Sequence, residues 1–122
     1  MEVKEILKQL CKVFVTLAEK LEKIPMQLQK NANKEAMTTV SELADSLSLL
    51  FQLIPYLELF PEKFSNFSIE NKSLMEFVQE FPPFLEDFLK AVESNDTVSI
   101  GDLAEYEIAP RLKSLSSLQK TL

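Results

Sequence analysis

Apolar and polar positions recur along this chain with a period between three and four. Ile6, Leu10, Val13, Leu17, Leu21 and Ile24 step by three or four residues. Val3, Leu7, Cys11, Phe14 and Ala18 widen that stripe, and lysines and glutamates fill the other face. The pattern predicts an amphipathic helix with a broad buried side. Asn31-Ala32-Asn33-Lys34 is a polar break. Asparagine tolerates the left-handed position after a helix and also caps N-termini, so Asn31 is expected to close one helix and Asn33 to open the next. A second stripe runs Ala36, Val40, Leu43, Leu47, Leu50 or Phe51, and Ile54, continuing through Leu57 and Phe60. Pro61 to Ser68 then reads as the longest connection, with Ser68 as a candidate N-cap. A third stripe comprises Leu74, Phe77, Phe81, Phe84 or Leu85, Phe88 and Val92. Ser94-Asn95-Asp96-Thr97 is a stop-and-start signal, with Asp96 or Thr97 capping the next helix. The last stripe is Ile100, Leu103, Ile108, Leu112, Leu115, Leu118 and Leu122, its first turn weakened by Gly101.

Four amphipathic helices joined by short links predict an all-α fold, an antiparallel up-down four-helix bundle occupying residues 1–122 as a single domain. Prolines disturb each helix, at Ile24-Pro25, Ile54-Pro55, Phe81-Pro82-Pro83 and Ile108-Ala109-Pro110. A proline inside a helix removes one hydrogen bond and crowds the carbonyl four residues back, so each site is expected to be a kink or a break. Pro82-Pro83 is the severest, and predicts two helices at about 70–80 and 83–94. The first prolines are 30, 27 and 28 residues apart, which is compatible with a faint helix-level repeat or with chance.

Composition narrows the chemistry. The 122 residues contain no histidine, no tryptophan, one cysteine and one glycine. A single glycine cannot build a phosphate-binding glycine loop, and a scarcity of glycine also argues against β-rich structure. Catalytic triads and Glu-x-x-His di-iron bundles need histidine, and zinc sites need cysteine or histidine sets. The only enzymatic option left is a pair of carboxylates, such as Glu86 with Asp87 or Glu105 with Glu107, and acids on a polar helix face are usually just solvated. No enzyme, no metal and no cofactor are expected. Cys11 lies on the apolar stripe of the first helix, reads as a buried hydrophobe, and fits a reducing, cytoplasmic location. The most apolar window, Leu47 to Phe60, is broken by Gln52, Pro55 and Glu58 and is too short to span a membrane.

Charge is unevenly placed within a net of −6. Residues 1–34 hold seven lysines against four acids, residues 35–107 hold three lysines against fifteen acids, and residues 108–122 hold three basic residues and no acid. The acidic middle repels phosphate backbones, so nucleic acid is not an expected partner. Either basic outer helices neighbour acidic inner ones, or an acidic face awaits a basic partner.

Eight of the nine phenylalanines fall between positions 51 and 88. Phe77, Phe81, Phe84 and Phe88 step by four, three and four, and read first as core. Phe64 and Phe67 lie in a polar connection and must tuck onto the bundle or stand exposed. Tyr56, Phe60, Phe64, Phe67 and Phe84, with Glu86 and Asp87 as an acidic rim, form the candidate partner-binding set. The ligand they would suit is an amphipathic helix with basic flanks.

The stretches from Phe77 to Leu85 (Phe-Val-Gln-Glu-Phe-Pro-Pro-Phe-Leu) and from Asn95 to Leu112 resemble segments of small, uncharacterised helical proteins of Gram-positive bacteria. The resemblance covers about the last third of the chain, implies a helical bacterial protein, and transfers no functional residue. Size, acidity and helicity are also similar to bacterial secretion and flagellar export chaperones. The sequence therefore points to a non-enzymatic protein-binding module, an adaptor or chaperone-like bundle holding a partner helix. The alternative is a structural homo-oligomer, at its simplest a homodimer, that buries surplus apolar surface between copies.

Overall fold

The computed structural model describes residues 3–59 and 68–120. It is a helical bundle with one very small β-hairpin. Helix α1 (Val3–Glu22) buries Leu7, Leu10, Phe14, Leu17 and Leu21, whereas Val13, placed on the apolar stripe by its spacing, is exposed and Ile6 is half-buried, so the buried face is centred on the Leu7–Phe14 side. The chain breaks at Lys23 and resumes as α2 (Ile24–Gln29), with Pro25 in the first turn, where a missing N–H is not needed. Asn31 adopts a left-handed backbone with φ of 61° and closes that helix. Helix α3 (Asn33–Leu59) begins at Asn33 and runs through Pro55. Proline has no N–H, so the carbonyl of Phe51 cannot receive its usual bond from residue 55. Asn31 thus acts as its residue type indicates, whereas Asn33 is the first residue of α3 and not its cap, since the Ala36 N–H already bonds the Ala32 carbonyl, and Pro55 interrupts the bonding of a helix that continues past it.

Phe60, Phe64 and Phe67 lie outside the described residues. Beyond them, Ser68 opens a strand and is not a helix N-cap, which corrects the expectation from sequence. Strands β1 (Ser68–Ile69) and β2 (Lys72–Ser73) pair antiparallel, Ser68 with Ser73 and Ile69 with Lys72. The two turn residues, Glu70 and Asn71, both have positive φ, 52° and 66°. That is the backbone of the primed two-residue turns that suit hairpins. The cap lies at Ser73, whose hydroxyl accepts the Glu76 N–H at 3.1 Å and donates to the Glu76 carboxylate at 3.1 Å. It starts the short helix α4 (Leu74–Val78). Helix α5 (Phe81–Glu93) comes next, with Pro82 and Pro83 in its first turn. Two helices are present here, but the bounds differ from those read from sequence: the first starts at Leu74 and not near residue 70, and the second starts at Phe81 with Pro82 and Pro83 both inside its first turn, so the break falls at residues 79–80, before the prolines.

Asn95 is again left-handed (φ 57°), and Asp96 caps α6 (Thr97–Asp102) by accepting the Ser99 N–H at 3.2 Å. A π-helical segment, Leu103–Ile108, succeeds it, with the Ala109 N–H bonded five residues back to Ala104. Helix α7 (Ala109–Ser116) has Pro110 in its first turn, and a 3-10 turn, Ser117–Lys120, ends the described chain. The wide π turn carries the backbone into Pro110, which cannot donate to the Tyr106 carbonyl.

The apolar faces set the packing. Helix α1 lies between α3 and α7, and α5 lies along α6 and the π segment. Helix α2 crosses α6, where Pro25 abuts Gly101. The core joins α1 to Leu112, Leu115 and Leu118 on one side and to Leu43, Leu47, Leu50 and Leu53 on the other. Phe77 and Phe81 meet edge to face, with ring centroids 6.1 Å apart. Among the described residues, helices α3 and α5 do not form a packed seam of the kind that joins the other long helices, and no other described element fills the space between them.

Candidate protein-binding groove

Between α3 and α5 lies a groove of about 460 Å³. Its α3 wall is a helical stripe, Val40, Leu43, Ala44, Leu47 and Phe51, with Ser48 and Gln52 at its edge. Its α5 wall is Leu85, Phe88 and Leu89. Among the described residues, no charged side chain lines it, and Ser48 and Gln52 supply its only polar side chains. Leu43, Leu47 and Phe88 form a buried floor. The mouth is open, since Phe51 is 37% and Leu89 57% exposed. The groove exists because α3 carries more apolar positions than α1 covers. Leu43, Leu47 and Leu50 reach the core, while Ala44 and Phe51, on the adjoining side of the helix, meet solvent.

Across α5 from this wall lies a charged cluster that holds the helix in place. The Arg111 guanidinium stacks 4.0 Å from the centre of the Phe84 ring. It also donates to the Glu107 carbonyl at 2.9 Å and to the Glu107 carboxylate at 3.0 Å. Its Nε lies 3.7 Å from Glu80, beyond hydrogen-bond distance. Glu80 in turn accepts from Lys72 of β2 at 2.7 Å. The Lys72 ammonium, as donor and neighbouring charge, holds the Glu80 carboxyl below its ordinary range, and Glu80 raises Lys72 reciprocally. The cluster thus ties the hairpin, the start of α5 and the π segment together.

The candidate residues read from sequence are dispersed by this geometry. Phe84 is half-buried beneath Arg111 and lies outside the groove lining. Tyr56 is 55% exposed near the end of α3, beyond the groove lining. Glu86 is exposed and paired with Lys90 at 3.4 Å, outside the lining. Asp87 lines a different, shallow depression with Lys90, Ser94, Asp96 and Ser99. Phe60, Phe64 and Phe67 lie outside the described residues. The stretch Phe77–Phe88 is not one continuous face either, because the break at residues 79–80 separates Phe77 from the other three.

Sequence reasoning misses the groove-lining residues themselves. Their signal is the surplus in α3, where Val40, Ala44 and Phe51 flank a stripe that Leu43, Leu47 and Leu50 already complete. Among the described residues, no three histidine, cysteine, aspartate or glutamate side chains converge as metal ligands would. Cys11 is buried, its thiol pushed up by desolvation, with Sγ 3.8 Å from the Leu115 carbonyl. Among the described residues, no helix is long and apolar enough to cross a membrane.

Comparison with known proteins adds a family but no activity. An uncharacterized protein of Treponema pallidum is 26% identical over 115 residues, covering 94% of this chain. The matched region is 57% of that relative, so the chain spans little more than half its length. No solved structure matches the chain. The family described as a domain of unknown function, DUF8042, matches residues 5–118, and the chain belongs to that family.

Proposed function

We propose that this protein is a non-enzymatic binding module whose α3–α5 groove receives the apolar face of a partner helix. The observation that carries the reading is the groove itself, an apolar channel, uncharged among the described residues, between two helices that form no packed seam. A helix laid into an apolar groove is a recurring mode of peptide recognition. Pockets for small ligands commonly share this volume, but they enclose most of the ligand and place a few convergent polar groups. Here the mouth is open at Phe51 and Leu89, which suits an elongated occupant that brings its own outer surface.

The role is that of a small adaptor or chaperone-like protein in a bacterial cytoplasm. Support comes from the buried, unpaired Cys11, which fits a reducing compartment. A homo-oligomeric role for the same surface is the alternative, and the net negative charge of both walls weighs against it.

Ala44 and Leu89 are exposed on the groove walls, so they can be changed without opening the core. The test compares the wild-type chain with Ala44→Arg as paired baits in host lysate. A partner held by the wild type and released by Ala44→Arg, with both proteins unfolding at the same temperature, is the expected result. Identical capture by the two baits removes the groove from the account.

A further inference from the structure

We infer that the groove's occupant is a basic-flanked amphipathic helix of about three turns, supplied by a partner protein and not by a second copy of this chain. This rests on the reading of the groove as a protein-binding site and adds the chemistry of what it binds. Length comes first. The α3 wall runs from Val40 to Gln52. That is about 18 Å at 1.5 Å per residue, so a helix laid along it is covered over about 12 residues.

Charge decides the rest. Among the described residues no charged group lies inside the groove, so discrimination by charge comes from its rims. Across residues 34–52, α3 carries Glu35, Glu42 and Asp45 against Lys34. Helix α5 carries Glu86, Asp87 and Glu93 against Lys90. Each helix is therefore net negative over this stretch, although Asp87 faces a separate depression and Glu42 turns to Lys20, which leaves Asp45, Glu86 and Glu93 as the carboxylates nearest the groove. Asp45 lies three residues before Ser48 and seven before Gln52, on the edge of the α3 wall. Glu86 and Glu93 lie three before and four after Leu89, on the edge of the α5 wall. Glu42 is paired with Lys20 and Glu86 with Lys90. Asp45 and Glu93 make no ion pair with another described residue. Lysines or arginines on the shoulders of an incoming helix meet these carboxylates while its apolar face fills the channel. A second copy docking groove to groove would instead bring two net-negative pairs of walls together, on a chain of net charge −6.

The probes are three synthetic peptides of about 14 residues, titrated against the full chain by fluorescence anisotropy. One places leucines at helical spacing with lysines on the shoulders. The second replaces the lysines with glutamates. The third keeps the lysine peptide's composition but scrambles the leucine register. The lysine helix is expected to bind about tenfold or more tighter than the glutamate helix. That gap should close near about 1 M salt, where charges are screened beyond ~3 Å. Ala44→Arg should abolish binding, and Asp45→Lys with Glu93→Lys should reverse the preference.

Equal affinity for the two helices, lost in Ala44→Arg, overturns the charge inference and leaves the groove reading standing. Binding of the scrambled peptide as well as the ordered one overturns the inference, because attraction alone would then explain it. No binding by either helix overturns both. A dimer by light scattering that Ala44→Arg splits into 14.0 kDa chains makes a second copy the occupant, and overturns it too.

Discussion

Gly101 is the chain's one glycine, and its role is a close approach between helices. A Cβ built there would stand 3.3 Å from Pro25 Cγ and 3.4 Å from Pro25 Cα, against a rigid ring and backbone. Gly101→Val is therefore expected to destabilise the fold by about 1–3 kcal/mol through overpacking, despite valine's better helix propensity. Urea unfolding measures it, and an unchanged midpoint would mean that α2 moves aside freely. Asp96 acts by charge. The Ser99 hydroxyl, 2.7 Å away, and the Ser99 N–H hold its carboxyl below the ordinary aspartate value of 3.8. A carboxyl depressed in the folded state stabilises above its unfolded pKa, and that stability is lost as pH falls through the folded pKa. Asp96→Ala should thus be less stable than wild type at neutral pH, and the gap should narrow as pH drops below 3.8. Thermal melts across that range check it, and a gap that persists into strong acid contradicts the assignment.

At the scale of elements, the five prolines at the four helix stripes divide into two kinds. Pro25, Pro82-Pro83 and Pro110 stand in first turns, where proline is well tolerated. Pro55 stands inside α3. Pro55→Ala should restore the bond to the Phe51 carbonyl and stabilise the protein by about 1–3 kcal/mol. Denaturant unfolding showing no gain would mean that the surrounding packing already compensates for the lost bond. The Arg111–Phe84 stack links α5 to the start of α7. A double-mutant cycle of Arg111→Met and Phe84→Leu is expected to give a coupling of about 0.5–2 kcal/mol. A coupling near zero would leave α5 held by its apolar contacts alone. Helix positions and the ends marked by Asn31 and Asp96 are legible in the sequence because they depend on local spacing and on side chains that suit helix ends, whereas the Ser73 cap, set by the hairpin before it, is not. The hairpin is not, because Glu70 and Asn71 make a positive-φ turn without the glycine that usually signals one. The π segment is not either, since its register depends on fitting Pro110 onto a helix already packed against α1 and α5.

At the scale of the whole molecule, helix α1 is flanked by α3 and α7, and α5 stands off from α3. That leaves an apolar channel on the acidic side of the chain, with the basic termini contributing to other helices. The amphipathic stripes tell of four helices but not of which neighbours they choose. The surplus on α3 is visible as residues, yet only the arrangement of α1 and α5 decides whether it is core or groove. Aromatic density points to Phe84 and the residues after Tyr56, whereas the channel is mostly aliphatic and lies earlier on α3. The central claim is that this channel is the protein-binding face. The most direct test is an amide-shift map of the isotopically labelled chain during titration with the lysine-flanked helix. Shifts concentrated from Val40 to Gln52 and from Leu85 to Leu89 are the expected result. Shifts centred elsewhere, for example around exposed Val98 and Tyr106, with the two walls unmoved, would contradict it.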